Sequence, residues 1–144
     1  SNGYAIDRRL FDRDGALLDP MGLRRGQVIV AVIDGVAPKG EPARSLIADL
    51  LPAGLELESA ALNRGADIGG LDWIGARTEP EFEELRDDRY MAAVNVPAGG
   101  AFRLAWLARV VTPGTFVAPA IHVEDMYDPT RMARGATGWI RIAE

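Results

Sequence analysis

Between Phe102 and Val110 every second residue is apolar: Phe102, Leu104, Trp106, Ala108 and Val110 share one face, while Arg103 and Arg109 fall on the other. A period of two sustained over this length is the signature of a strand with one buried face, and no amphipathic helix reproduces it. The same period recurs at Tyr4, Ile6 and Leu10, closed by the turn residues Asp12 to Gly15. It returns at Leu46, Ala48 and Leu50, which alternate with Ser45, Ile47 and Asp49, and at Tyr90, Ala92, Val94 and Val96. In the last segment Ile140 and Ile142 oppose Trp139 and Arg141. From Val28 to Ile33 every residue is apolar and most are β-branched, which predicts a central strand buried on both faces. Asp34-Gly35 either lies just past that strand or forms a tight hairpin turn. A strand beginning near Thr115 contains Pro119, which cannot donate to a ladder, so it is an edge, bulged or broken there. Sixteen glycines and nine prolines punctuate these segments. Seven or so short strands separated by such turns predict an antiparallel sandwich.

Two stretches depart from the pattern. Glu56 to Asp72, interrupted by Gly65, Gly69 and Gly70, reads as a long connection. Thr78 to Arg89 holds six acids and two arginines, and Glu79-Pro80 is suited to opening a short helix with its acids near the positive end of the dipole.

The 144 residues suffice for one domain with its own core. Ser1 and Asn2 read as a scar of tag removal, so residues 1–144 are expected to be one domain cut from a longer protein, with any export signal or lipid anchor outside it. No apolar run approaches the roughly 18 residues that cross a bilayer. Sixteen basic against 21 acidic residues give a net charge of −5, which argues against a phosphate-binding surface and hence against a nucleic-acid partner. With no cysteine and one histidine, thiolate nucleophiles, His-rich metal cages and histidine triads are excluded as a basis for function. Catalysis would have to rest on carboxylates, and the acidic stretch Glu79, Glu81, Glu83, Glu84, Asp87 and Asp88 offers the candidates, with Glu83, Glu84 or Asp88 the positions at which a change would reveal it. A run of acids beside arginines is more simply a solvated face, and no calcium-loop spacing is present. His122, between Ile121 and Val123, reads as an ordinary strand residue. The glycines at 65, 69 and 70 do not follow a strand into a helix, as a phosphate loop requires. Met126 and Tyr127 stand directly before the turn pair Asp128-Pro129. They either fold back to cap the core or present a rigid ring with a polar tip to another surface.

The run V-V-T-P-G-T-F-V-A-P-A-I-H-V-E-D-M-Y-D-P-T-R-M-A-R-G-A-T-G (Val110 to Gly138) closely resembles the carboxy-terminal (MG10) domain of bacterial alpha-2-macroglobulins. So do Ala48 to Glu58, Glu84 to Ala93 and the opening R-R-L-F-D-R-D-G, and together they extend the resemblance over nearly the whole chain. The resemblance implies a macroglobulin-like antiparallel β-sandwich with a short helical insertion. It implies a non-enzymatic domain, with no cofactor and no metal, of a periplasmic protease-trapping protein often lipid-anchored to the inner membrane. In thioester-bearing members an exposed Cys-Gln thioester acylates the attacking protease. This chain has no cysteine, so that bond would belong to a neighbouring thioester domain of the same parent, and target proteases would be met through the parent. By position in the matched motif, Tyr127 is implied to cover the thioester, with Met126 and Asp128-Pro129 beside it and Glu124 and Asp125 holding the loop by hydrogen bonds to its backbone. The competing expectation is a stand-alone sandwich that binds a protein or glycan through Trp73 or Trp139.

Overall fold

The structure, a computed structural model, describes residues 3–58, 68 and 70–144. Its strands are β1 (Ala5–Phe11), β2 (Leu23–Arg24), β3 (Val28–Val36), β4 (Ala43–Leu50), β5 (Leu55–Leu57), β6 (Phe82–Arg86), β7 (Arg89–Val96), β8 (Ala101–Val110), β9 (Gly114–Ala118), β10 (His122–Asp125), β11 (Met132–Arg134) and β12 (Gly138–Ala143). They form a four-stranded sheet ordered β1-β3-β8-β5, a five-stranded sheet ordered β11-β10-β4-β7-β6 and a three-stranded sheet ordered β2-β12-β9. Every pairing is antiparallel except the short parallel contact of β12 with β2. Helix is confined, apart from Ile68, to single 3₁₀ turns at Pro20–Gly22 and Asp72–Ile74 among the described residues.

The sandwich core joins all three sheets. Ile29, Ala31 and Ile33 of β3 and Leu104, Trp106 and Ala108 of β8 pack with Ile47 of β4, Val94 of β7, Val123 of β10 and Ile140 and Ile142 of β12. The outer face of β3 and β8 carries a second cluster, in which Val30, Val32, Ala105 and Leu107 are covered by Ile68 and Ile74, with Trp73 and Phe11 against them. The all-apolar run at 28–33 thus fills two apolar layers at once. Trp73 is tied down as well, its indole N–H donating to the Arg13 carbonyl at 2.8 Å.

Asp34-Gly35 is not a turn. β3 continues through it to Val36, with Asp34 opposite Arg103 and Gly35 opposite Phe102. A Cβ at Gly35 would run into the Phe102 ring, so the glycine lets the ring lie over the backbone and the ladder continue. The acidic stretch is not a helix. Phe82–Arg86 is the edge strand β6, folded onto β7 through Asp87 and Asp88. Local helix chemistry at Glu79-Pro80 yields here to cross-strand pairing, and charged side chains suit a strand at an edge. Pro119 breaks its strand outright: β9 pairs with β12, and after Ile121 the chain continues as β10 in the other sheet, between β4 and β11.

Strand β4 is inverted relative to its hydrophobic pattern. The buried face carries Ala43, Ser45, Ile47 and Asp49, whereas Leu46 and Ala48 are half-buried and Leu50 is exposed. The polar pair survives burial because each member has a partner. Tyr4 Oη and Ser45 Oγ lie 2.7 Å apart. Asp49 accepts from the Arg8 guanidinium and, at 2.9 Å, from the Trp106 indole N–H. Burial pushes the Asp49 carboxyl up from its ordinary value, while the Arg8 charge and the Trp106 hydrogen bond pull it back.

Candidate functional site

Residues 126–131 connect β10 to β11 and form the tip of a hairpin whose base is Glu124 opposite Met132. Asp125, the last residue of β10, is 1% exposed and organises the loop. Its Oδ1 accepts the Tyr127 amide at 3.0 Å, and its Oδ2 accepts Nη1 of Arg131 at 3.0 Å. Its own amide donates to the Arg131 carbonyl, and its carbonyl accepts the Asp128 amide. Met126 donates its amide to the Arg44 carbonyl at 2.8 Å, which pins the loop to the start of β4. Asp128 closes the far side. Its Oδ1 accepts the amide and the hydroxyl of Thr130, at 3.2 and 2.6 Å, and its carbonyl accepts the Arg131 amide. The Thr130 hydroxyl, followed by the Thr130 amide, holds the Asp128 carboxyl below its ordinary value.

From Asp125 to Arg131, therefore, every backbone N–H has an acceptor, Pro129 having none to place. Such a loop has its conformational entropy removed before it meets any partner. Tyr127 nevertheless is 76% exposed and Met126 43% exposed. Neither side chain folds back into the core. Tyr127 forms one wall of a shallow groove with Pro42, Arg44, Asn95, Val96 and Pro97.

The other candidates occupy separate places. Glu124 faces sideways along β10, where its carboxylate lies 3.1 Å from Nε2 of His122. In the acidic stretch Glu83 accepts the hydroxyl of buried Tyr90 at 2.6 Å, Glu84 pairs with Arg86, and Asp88 pairs with Arg89. The Arg89 hydrogen bond lowers the Asp88 carboxyl, the opposite of what a general acid needs. Burial and then the Glu83 charge push the Tyr90 hydroxyl far up, so it stays a donor. Trp73 is half-buried over the outer apolar layer, whereas Trp139 is 58% exposed opposite Val117, itself 46% exposed. Gly65 and Gly69 lie outside the described residues. Among the described residues no group of three or more His, Cys, Asp or Glu side chains could hold a metal ion, and no helix is long and apolar enough to cross a membrane.

Arg131 is the residue of this site that sequence reading does not reach. Its only signal is an Asp and an Arg six positions apart across an Asp-Pro turn, and that spacing acquires meaning only once the hairpin brings the two together.

The family model of the bacterial alpha-2-macroglobulin MG10 domain matches residues 3–130. The chain is 36% identical over 146 aligned positions to alpha-2-macroglobulin of Escherichia coli K12, an alignment covering 94% of this chain and 9% of that protein. Its fold superposes with a TM-score of 0.84 on Salmonella alpha-2-macroglobulin reacted with methylamine, at 35% identity, covering all of this chain and 9% of that one. Trypsin-activated alpha-2-macroglobulin from Escherichia coli gives a TM-score of 0.83 at 33% identity, covering 99% of this chain and 10% of that one.

Proposed function

This chain belongs to the bacterial alpha-2-macroglobulin MG10 domain family, and from that premise we propose that it is a non-catalytic cover domain, whose Tyr127 loop shields a thioester in the neighbouring domain of its parent. The chain spans about 9% of the length of its Escherichia coli relative. The parent accordingly supplies the bait, the reactive bond and the contact with proteases, and it works in the periplasm where such proteases arrive.

One observation carries this reading: Tyr127 is held out from the domain by a loop whose amides are all satisfied. A tyrosine ring offers a broad, rigid, largely apolar surface with only two side-chain torsions to freeze. Seated over a thioester, it keeps water and small amines from the carbonyl carbon. When an amine does arrive, its nitrogen bonds to that carbon, the carbon–sulfur bond breaks, and the amine's proton passes to the departing thiolate. Met126 widens the apolar cover, and Asp125, Asp128 and Pro129 fix the shape of the loop. Glu124, expected to bond the loop backbone, instead places its carboxylate against His122 on the same strand.

The test uses the full-length parent before any exposure to protease. Tyr127→Gly is expected to speed the methylamine-driven appearance of free thiol by roughly tenfold, a barrier change of about 1.4 kcal/mol. Equal rates in parent and variant would end the shielding assignment.

A further inference from the structure

We propose that Arg131 is a positioning residue for Tyr127, holding the tyrosine at its working height through Asp125; this rests on the reading of Tyr127 as a thioester cover. The guanidinium joins two parts of the fold. Nη1 donates to Asp125 Oδ2 at 3.0 Å, and Nη2 reaches the Glu41 carbonyl, in the connection between β3 and β4, at 3.4 Å. The backbone of Arg131 closes the same ring from the other side, donating to the Asp128 carbonyl and accepting the Asp125 amide. Arg131 therefore ties the hairpin tip to the neighbouring loop as well as to its own base.

The consequence for Tyr127 follows from the burial of Asp125, whose side chain is 2% exposed against 19% for Arg131. A carboxylate so buried needs its cation close by. Without the guanidinium it turns toward water. Turning draws Oδ1 away from the Tyr127 amide, because both oxygens belong to one rigid group. The pivot itself is fixed, since β10 is paired on both sides and Asp125 sits opposite Ser45 of β4, which in turn meets Tyr4. Loss of Arg131 thus loosens the tip and leaves the strand beneath it in place. Tyr4 lies within reach of the charges on Asp125, Arg131 and Glu124, but neither it nor Glu124 is a cation that could replace the guanidinium.

Four proteins decide the matter, all as the full-length parent: the unaltered chain, Tyr127→Gly, Arg131→Met and the double variant. Free thiol released by methylamine is timed, and amide hydrogen exchange is followed in the peptide spanning 125–131. Arg131→Met is expected to speed thiol release roughly threefold and to accelerate exchange in that peptide alone, as loss of preorganisation would do. The double variant should be no faster than Tyr127→Gly, because a residue acting through Tyr127 has nothing left to act on. Arg131→Lys, which restores a cation to Asp125, should return the rate most of the way. An Arg131→Met protein that releases thiol at the parent rate, while Tyr127→Gly is fast, overturns the positioning role and leaves the cover intact. Effects that multiply in the double variant overturn it as well. If Tyr127→Gly changes nothing, or the parent has no thiol to release, the cover reading falls; Arg131 is then judged on exchange at 125–131, and unchanged exchange overturns it. Should Arg131→Met fail to fold, Asp125→Asn takes its place in the same comparison, since it keeps an acceptor for Tyr127 and gives up the charge that holds Arg131.

Discussion

Two arginine–aspartate pairs in this domain use the same chemistry to opposite ends. In the sandwich interior, Asp49 on the buried face of β4 meets Arg8 of β1 and the Trp106 indole of β8. At the hairpin tip, Asp125 meets Arg131. Asp49 spends both oxygens on side chains, so its pair fastens three strands from two sheets together. Asp125 divides its oxygens between a side chain and the Tyr127 amide, so its pair shapes a backbone. One pair makes the domain cohere and the other makes it present something. Burial alone does not tell them apart, because both carboxylates are almost fully enclosed. What differs is whether the second oxygen bonds to the core or to the loop.

The sharpest way to break the comparison is at Arg8. Arg8→Met leaves Asp49 buried without its cation and should lower the unfolding free energy by about 3–5 kcal/mol in a denaturant titration. A loss below about 1 kcal/mol would mean that Asp49 is not held by charge pairing at all. The next effect is smaller and depends on pH. Burial raises the Asp49 carboxyl above its ordinary value of 3.8, so the folded state binds this proton more tightly than the unfolded chain does. The stabilisation from that protonation is complete below 3.8 and is lost as pH rises through the raised value. Urea titrations of the unaltered domain and of Asp49→Asn across this window should therefore show the unaltered domain losing ground to the variant with rising pH. A difference that stays flat removes the asymmetry. The smallest effect belongs to the presented side chain. Tyr127→Gly should change the stability of the domain by no more than about 0.5 kcal/mol, as expected for an exposed side chain when the backbone bond to Asp125 is kept. A larger loss would show that Tyr127 holds the fold together.

Much of the frame is legible in the residue pattern. The alternation at Phe102 to Val110 and the apolar run at Val28 to Ile33 set out the two central strands of one sheet, and Pro119 marks where a strand has to end. Strand β4 is misleading in the sequence for a definite reason. Its apolar residues Leu46, Ala48 and Leu50 name one face, yet the buried face holds Ser45 and Asp49, whose partners Tyr4, Arg8 and Trp106 come from distant parts of the chain. Periodicity counts apolar side chains, and it cannot count a polar one satisfied by a residue about 40 or 60 positions away. The acidic stretch misleads in the same way, since pairing with β7 outweighs local helix chemistry. At the site, Met126, Tyr127 and the Asp128-Pro129 turn can be read directly as a loop. The Asp125–Arg131 clamp cannot, because only the closed hairpin brings the two within bonding distance.

The break at Pro119 carries a mechanical consequence. It sends the chain from β9, at one margin of the small sheet, into β10, which lies between β4 and β11. A tyrosine hung from a margin strand would be peeled away one bond at a time when a neighbouring domain pulled on it. Here one leg of the hairpin is the margin strand β11, but the other, β10, is paired on both sides, so a pull along its axis loads the hydrogen bonds to β4 and β11 together. The hairpin tip then works as a handle rather than a flap, and a load on Tyr127 is shared by the sheet before any part of the loop yields.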